Sequence, residues 1–532
     1  MAVNPKDVPQ HAPIQAPNHA PTRIHQLMAP WLAKQPEAPA VRDAQMALSY
    51  QGLHEASLAA EAQLRALGVR PGDRLLVVGE NCVALCVLVL AASRLDAWMV
   101  VANARLSERE IDLFVAHAQA RRVVYTTQVS PEAQGHAQRL GASIHDWAAL
   151  GPMPVSALNS SAAPEPCFDD PRRQVGCVLY TSGTSGAPKG VMLSHANMLF
   201  TATSAAAMRG LKPGDLSYGV LPMAHIVGLT AQFMGNLCGG AALALAPRFT
   251  PAETARMLRD EGVTVFTGVP VMMAKMLDWS RETGTPLTAP HLRVMTVAGS
   301  PMTPTLKHEA EQVFGLPLDN GYGLTECAPT IAQTRAGEHR SDCAVGHPIA
   351  GVEVRIVGAN SAEVPVGEIG ELWVRTPGLM LGYYRSPELT AQVIDADGWF
   401  NTGDMVRMET DGVLSIVGRS KELIIRSGLN VYPVEVEQAI NCHPLVIQSA
   451  VVGRTADHNE EVVAFVERAA GAALDAPTLR AYLRDHLAPY KIPSEIRFLA
   501  QLPAAPTGKL LKGVMKTMAQ QAADTQPTPT NP

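Results

Sequence analysis

The stretch Tyr180-Thr-Ser-Gly-Thr-Ser-Gly-Ala-Pro-Lys-Gly190 decides how the rest of the chain is read. Gly183 and Gly186 let the backbone bend close to a ligand, so that main-chain N–H groups can face phosphate oxygens. Thr181, Ser182, Thr184 and Ser185 add hydroxyl donors, and Lys189 adds a mobile positive charge. The apolar run at 175–180 reads as a buried strand, and Ser194-His-Ala-Asn opens a helix with a favourable N-cap residue. The expectation is a donor-rich loop between a strand and a helix, suited to a polyphosphate. An ordinary surface turn has no need of this many hydroxyls beside a lysine. The spacing excludes a kinase-type P-loop, which requires Gly-x-x-x-x-Gly-Lys-Ser/Thr, because Lys189 follows Pro188 and precedes Gly190.

Around this loop, 532 residues are too many for one ordinary core and imply several lobes. Hydrophobic residues at 47% and charged residues at 17% describe a soluble, well-packed protein. A net charge of −6 with no basic stripe argues against nucleic acid as a partner. The longest apolar run, 82–92, is far short of the ~20 residues that span a membrane. The eight cysteines lack metal-ligand spacing, and Cys82 and Cys86 share an apolar helical face, which reads as core. Nothing demands disulfides, so a cytoplasmic location is expected. His11, His19, His25 and His225 form no spaced ligand set. The first 20 residues and 519–532, rich in Pro, Gln, Ala and Thr, read as disordered extensions.

Between these ends, strand-like stretches (75–79, 122–125, 263–266) alternate with helical ones (82–93, 252–261). That rhythm implies an α/β fold of mainly parallel sheets with helices on their faces. From Gly351 the pattern changes to short strands at 352–357, 370–374 and 413–417 joined by Gly/Pro turns, as in a β-rich subdomain. After Arg419 a small α+β segment follows, with helices near 434–441 and 476–486.

Three further motifs carry chemistry. In Asn320-Gly-Tyr-Gly-Leu-Thr-Glu326, Tyr322 between Gly321 and Gly323 offers a flat face to an adenine ring. Thr325 can donate to a phosphate, and Glu326 can hold Mg2+, a hard cation that takes carboxylate and phosphate oxygens. Asp404, in Thr402-Gly-Asp404, can accept from both hydroxyls of a ribose. It precedes Gly418-Arg419-Ser-Lys421, and near the C-terminus stands Pro506-Thr-Gly-Lys509.

Together, from roughly residue 20 to 515, the four motifs resemble the adenylate-forming superfamily of acyl-CoA synthetases, peptide-synthetase adenylation domains and luciferases. The resemblance implies an N-terminal adenylation domain over 21–418 and a mobile C-terminal domain over 419–518. It assigns nucleotide binding to the loop 181–186 with Lys189 and to Asn320 and its motif. It places Asp404 and Arg419 on the ribose, Lys421 at the hinge, Lys509 on the attacking carboxylate and α-phosphate, and Gly428 beside the pantetheine channel. The acyl pocket would be lined by His225, Val227, Gly228, Gly268, Val269, Ala298, Gly299 and Ser300, together with Gly321 and Gly323. For His225, a packed core residue is the plainer reading.

The implied activity is ATP- and Mg2+-dependent ligation of a carboxylic acid to coenzyme A through an acyl-AMP, by a monomer or homodimer. No Arg or Lys stands in the pocket set to pair with a second carboxylate, which favours an apolar monocarboxylic acid, aryl or fatty. Loading of an acyl carrier protein is the alternative; the absence of a fused carrier domain after about residue 518 favours free CoA. A luciferase-type oxygenase and an inactive binding protein share the motifs and rank lower.

Overall fold

A computed structural model describes residues 20–182, 188–335, 338, 340–358, 360–427, 429–456, 459–468, 471–504 and 510–523. Its centre follows from continuous apolar runs. In Arg74–Gly79 all six residues are buried, as expected of a strand covered on both faces. It lies between Trp98–Asn103 and Arg122–Tyr125 in parallel register, and Val175–Ser182 extends the same parallel group. Antiparallel strands close both ends of this eight-stranded sheet. The helix Val83–Arg94 is apolar on every side and sits in a core shared with strands of both large sheets.

The second large sheet has nine strands. Pro39–Arg42, Ala242–Leu245, Leu216–Gly219, Val265–Gly268, Val294–Ala298 and Leu318–Gly323 run parallel across it. The four strands Glu353–Val357, Ile369–Arg375, Phe400–Met408 and Leu414–Arg419 then form an antiparallel sheet of their own. The turn Ser420–Glu422 leads from it to a smaller lobe. There Val446–Ala456, Asn459–Arg468 and Glu495–Leu499 form a sheet packed by Pro433–Asn441, Ala476–Arg484 and Lys512–Ala523.

Three expectations are corrected. The segment after the glycine-rich loop is a strand, Pro188–Ser194, paired antiparallel with Val175–Ser182 from Val175↔Ser194 to Ser182↔Pro188. The two strands therefore form a hairpin, and the helix His195–Met208 starts only after it, with Ser194 accepting from the Asn197 N–H as its cap. The reason is a period-two pattern, in which Val191 and Leu193 are fully buried. The C-terminal extension expected from 519 is helical as far as Ala523. Ala519 and Met515 are fully buried in a cluster with Val452 and Phe465, and the Gln520 amide bonds to Thr455. The strand expected at 263–266 lies two residues later, at Val265–Gly268. Among the described residues no helix is long and apolar enough to cross a membrane.

Candidate active site

Parallel register brings the site residues together. Gly268 pairs with Val297, and Ala298 with Gly321. Gly268-Val269, Ala298-Gly299-Ser300 and Gly321-Tyr322 thus lie side by side at the carboxyl edge of the nine-stranded sheet, where open α/β sheets bind ligands. Beyond Gly323 the chain reverses through the turn Thr325–Cys327 and returns antiparallel as Thr330–Gln333. A Cβ on Gly323 would fall 2.0 Å from the Pro329 carbonyl oxygen, so the reversal requires a glycine here.

The first centre is Asp404. Its side chain is 3% exposed, and its two oxygens are separately engaged. The Tyr322 hydroxyl donates to Oδ2 at 2.5 Å, and Arg419 Nε lies 2.9 Å from Oδ1. Asp404 and Arg419 are Cα partners across the antiparallel strands, which fixes the contact. Burial pushes the Tyr322 phenol well above its ordinary pKa, and the charge of Asp404 adds to the shift, so the hydroxyl stays a donor. The Thr402 hydroxyl holds the loop by donating to the Leu372 carbonyl, and the Ser420 hydroxyl donates to the Gly403 carbonyl.

The second centre is Glu326, which is half-buried. The Tyr383 hydroxyl donates to its Oε1 at 2.9 Å. Lys189 Nζ stands 5.2 Å from the centroid of the same tyrosine ring. Tyr383 escaped the sequence reading because its place depends on the pairing of Gly382–Tyr383 with Val191–Met192, almost two hundred residues away. Burial, with the Glu326 charge second, raises the Tyr383 pKa, so this hydroxyl is also a fixed donor. Thr325 lies in the same turn, one residue before Glu326.

Other assignments fare differently. Asn320 donates from its amide nitrogen to the Cys343 carbonyl at 2.9 Å and to the Ala344 carbonyl at 3.5 Å. His225, expected at the acyl pocket, is exposed, which removes the alternative of a packed core residue. Val227 and Gly228 open a π-helical segment, Val227–Met234, a rare form that concentrates at functional sites. Gly228 gives the pocket no room, since a Cβ there would lie 2.3 Å from the Pro222 carbonyl oxygen and 2.6 Å from that of Leu221. Gly299 meets only Val269 Cγ1, at 3.8 Å, but its φ of +88° strains any side chain. Lys421 is exposed in the turn between the lobes, and its neighbour Glu422 is held by Lys512 at 2.8 Å. Thr181 and Lys189 are register partners at the mouth of the hairpin, and the backbone of Ser182 completes it. Gly183, Thr184, Ser185, Gly186, Gly428 and Lys509 lie outside the described residues.

Two carboxylates, Asp404 and Glu326, each held by a tyrosine, thus stand near the strand ends, with Lys189 beside the second. The AMP-binding enzyme family model matches residues 28–384, and the AMP-binding enzyme C-terminal domain matches 435–509. The chain belongs to the AMP-binding enzymes of the adenylate-forming superfamily, in its class of AMP-forming acid–thiol ligases. It is 33% identical over 483 residues to feruloyl-CoA synthase of an Amycolatopsis species, covering 90% of this chain and 96% of that protein. To the fatty acid–[acyl-carrier-protein] ligase ScoC of Streptomyces coeruleorubidus it is 30% identical over 500 residues, 90% and 93% of the two chains. The solved structure of ATP-bound MatB from Rhodopseudomonas palustris superposes with a TM-score of 0.81 at 28% identity, over 94% of this chain and 99% of that one.

Proposed function

We propose that this enzyme converts an apolar monocarboxylic acid, aryl, arylpropenoic or medium-to-long-chain fatty, into its CoA thioester at the expense of ATP. In the first half-reaction a carboxylate oxygen attacks the α-phosphorus of ATP and pyrophosphate leaves, giving acyl-AMP. In the second, the thiol sulfur of CoA attacks the acyl carbon, the thiol proton is released and AMP departs. The observation that carries this reading is the Asp404 centre, a buried carboxylate prearranged by Tyr322 and Arg419 next to the strand ends.

The physical difficulty is repulsion between the substrate carboxylate and the triphosphate. Thr181, the hairpin loop, Lys189 and Thr325 would bind phosphate oxygens, and Lys509 would meet the charge that develops at the α-phosphate. Glu326 has one oxygen held by Tyr383 and one left for a cation, a donor set that fits Mg2+ shared with phosphate and water oxygens. When bound, Mg2+ supplies neutralisation of the triphosphate charge. Arg419 and Lys421 lie where the four-stranded antiparallel sheet gives way to the small lobe, and we place the lobe boundary at 418/419 with Lys421 as hinge.

The reading is tested by pyrophosphate release across a panel of carboxylic acids, with CoA, with a phosphopantetheinyl carrier protein and with neither. Release with a cinnamic- or fatty-type acid and a thioester only with CoA supports it. A thioester only on the carrier protein would replace CoA as acceptor, a reading that the likeness to ScoC favours. Lys509→Ala is expected to lower acyl-AMP formation by about 100-fold or more while thioester formation from supplied acyl-AMP survives. Equal loss in both half-reactions would refute the two-orientation scheme.

A further inference from the structure

The Tyr383 side chain meets both Glu326, through its hydroxyl, and Lys189, through its ring. Its position is over-determined. The Gly382–Tyr383 strand pairs with Val191–Met192 next to Lys189, and the Met380 N–H donates to the Glu326 carbonyl oxygen at 2.8 Å. The Tyr383 N–H itself donates to Thr390 Oγ1 at 2.9 Å. The phenol is 6% exposed. Its ring lies within cation–π reach of the ammonium, while its hydroxyl holds one carboxylate oxygen.

Lys189 lies over this ring and Glu326 at its hydroxyl, with opposite charges, and among the described residues no ion pair joins them. A direct contact would neutralise both groups before any ligand arrived. We propose that Tyr383 is a positioning residue that keeps this cation and anion apart, holding Glu326 for the metal and Lys189 for a phosphate oxygen. The proposal rests on the reading of Glu326 as metal-binding given above. The two ends of the tyrosine do separable work. The hydroxyl governs the metal-dependent part of nucleotide binding, and the ring governs the part that needs no metal.

The test uses Tyr383→Phe and Tyr383→Leu in the full chain, with ATP binding measured by calorimetry in excess Mg2+ and in EDTA. Loss of a hydrogen bond to a charged group predicts a roughly 10-fold weaker Mg2+-linked affinity for Tyr383→Phe, with affinity in EDTA unchanged. Tyr383→Leu loses that increment and a further several-fold in EDTA. Half-saturating Mg2+ for pyrophosphate release rises in parallel, while thermal unfolding of Tyr383→Phe stays near that of the parent. Equal weakening of Tyr383→Phe with and without Mg2+, or no weakening in either, overturns the proposal. If the parent enzyme binds ATP equally well in Mg2+ and EDTA, the metal reading of Glu326 fails first and takes this inference with it. A parent that responds to Mg2+ and a Tyr383→Phe that responds identically defeat the inference alone.

Discussion

The site contains two tyrosine–carboxylate pairs, each with a cation nearby, built to opposite ends. At Asp404 the pair is closed: Tyr322 takes one oxygen, Arg419 takes the other, and the carboxylate is almost wholly buried. At Glu326 the pair is open: Tyr383 takes one oxygen, the carboxylate is only half-buried, and Lys189 rests over the ring and not on the acid. A closed pair fixes a hydrogen-bonding template, as a neutral and invariant ligand such as ribose requires. An open pair keeps an unmatched charge available, as a cation or a phosphate requires. Burial separates the two roles. The stability of a closed pair depends on all its members, because removing one leaves a desolvated partner unmatched.

The largest effect should come from removing each acid in turn. Glu326→Gln and Asp404→Asn are both expected to slow acyl-AMP formation by about 100-fold or more. Their stabilities should diverge. Asp404→Asn leaves Tyr322 and Arg419 facing a neutral amide and is expected to cost about 1–3 kcal/mol of unfolding free energy. Glu326→Gln should leave the unfolding curve where it is. Pyrophosphate release and denaturant unfolding on the same preparations check both, and equal destabilisation would erase the distinction between closed and open pairs.

A smaller effect separates the tyrosines. Tyr322→Phe removes one donor to Asp404, the carboxylate proposed for the ribose, and should weaken ATP binding about 10-fold, equally in Mg2+ and in EDTA. A loss confined to Mg2+ would mean that Tyr322 serves the metal, and the contrast with Tyr383 would collapse.

The members of the closed pair are legible in sequence but their contact is not, because Tyr322 reads as a face for adenine and its hydroxyl meets Asp404 only in the fold; the open pair is legible only in half. Asp404 and Arg419 sit on strands that follow each other, and Tyr322 is marked by flanking glycines, so motif spacing carried them. Glu326 was marked in the same way. Tyr383 belongs to a two-residue strand whose partner lies across the whole domain, and no local period announces so short an element. The hairpin strand Pro188–Ser194 was missed because a loop read for its ligand chemistry drew the next regular element to the obvious helix cap at Ser194. The last helix was misjudged from composition: Gln, Ala and Thr describe a tail until Met515 and Ala519 find Val452 and Phe465. The parallel strands at 74–79 and 122–125 and the helix at 83–94 came through because buried runs of Val, Leu and Ile-sized residues need no distant information.

The smallest expected effect tests whether the closed pair is insulated from the acyl pocket beside it. Gly321 and Tyr322 are successive strand residues, so their side-chain directions point to opposite faces. A methyl at Gly321 would meet Ala298 Cβ at 3.6 Å and Gln333 Cγ at 3.7 Å, which is ordinary contact, and Gly321 carries no positive φ. It is therefore a cleaner probe than Gly299, where a side chain would strain the backbone whatever space it found. In the native enzyme kcat/KM should rise from acetate to larger monocarboxylic acids, by up to ~0.8 kcal/mol, or about four-fold, for each CH2 buried. Gly321→Ala narrows the wall by one methyl and should reduce the preference for the largest acids by a few-fold, with the KM for ATP unchanged. The measurement is a chain-length and aryl-acid series on both proteins, read by pyrophosphate release. Peak activity of the native enzyme on acetate or malonate would refute the apolar pocket, and a shift in the KM for ATP as large as the shift in acid preference would show that the Asp404 template is not insulated from it.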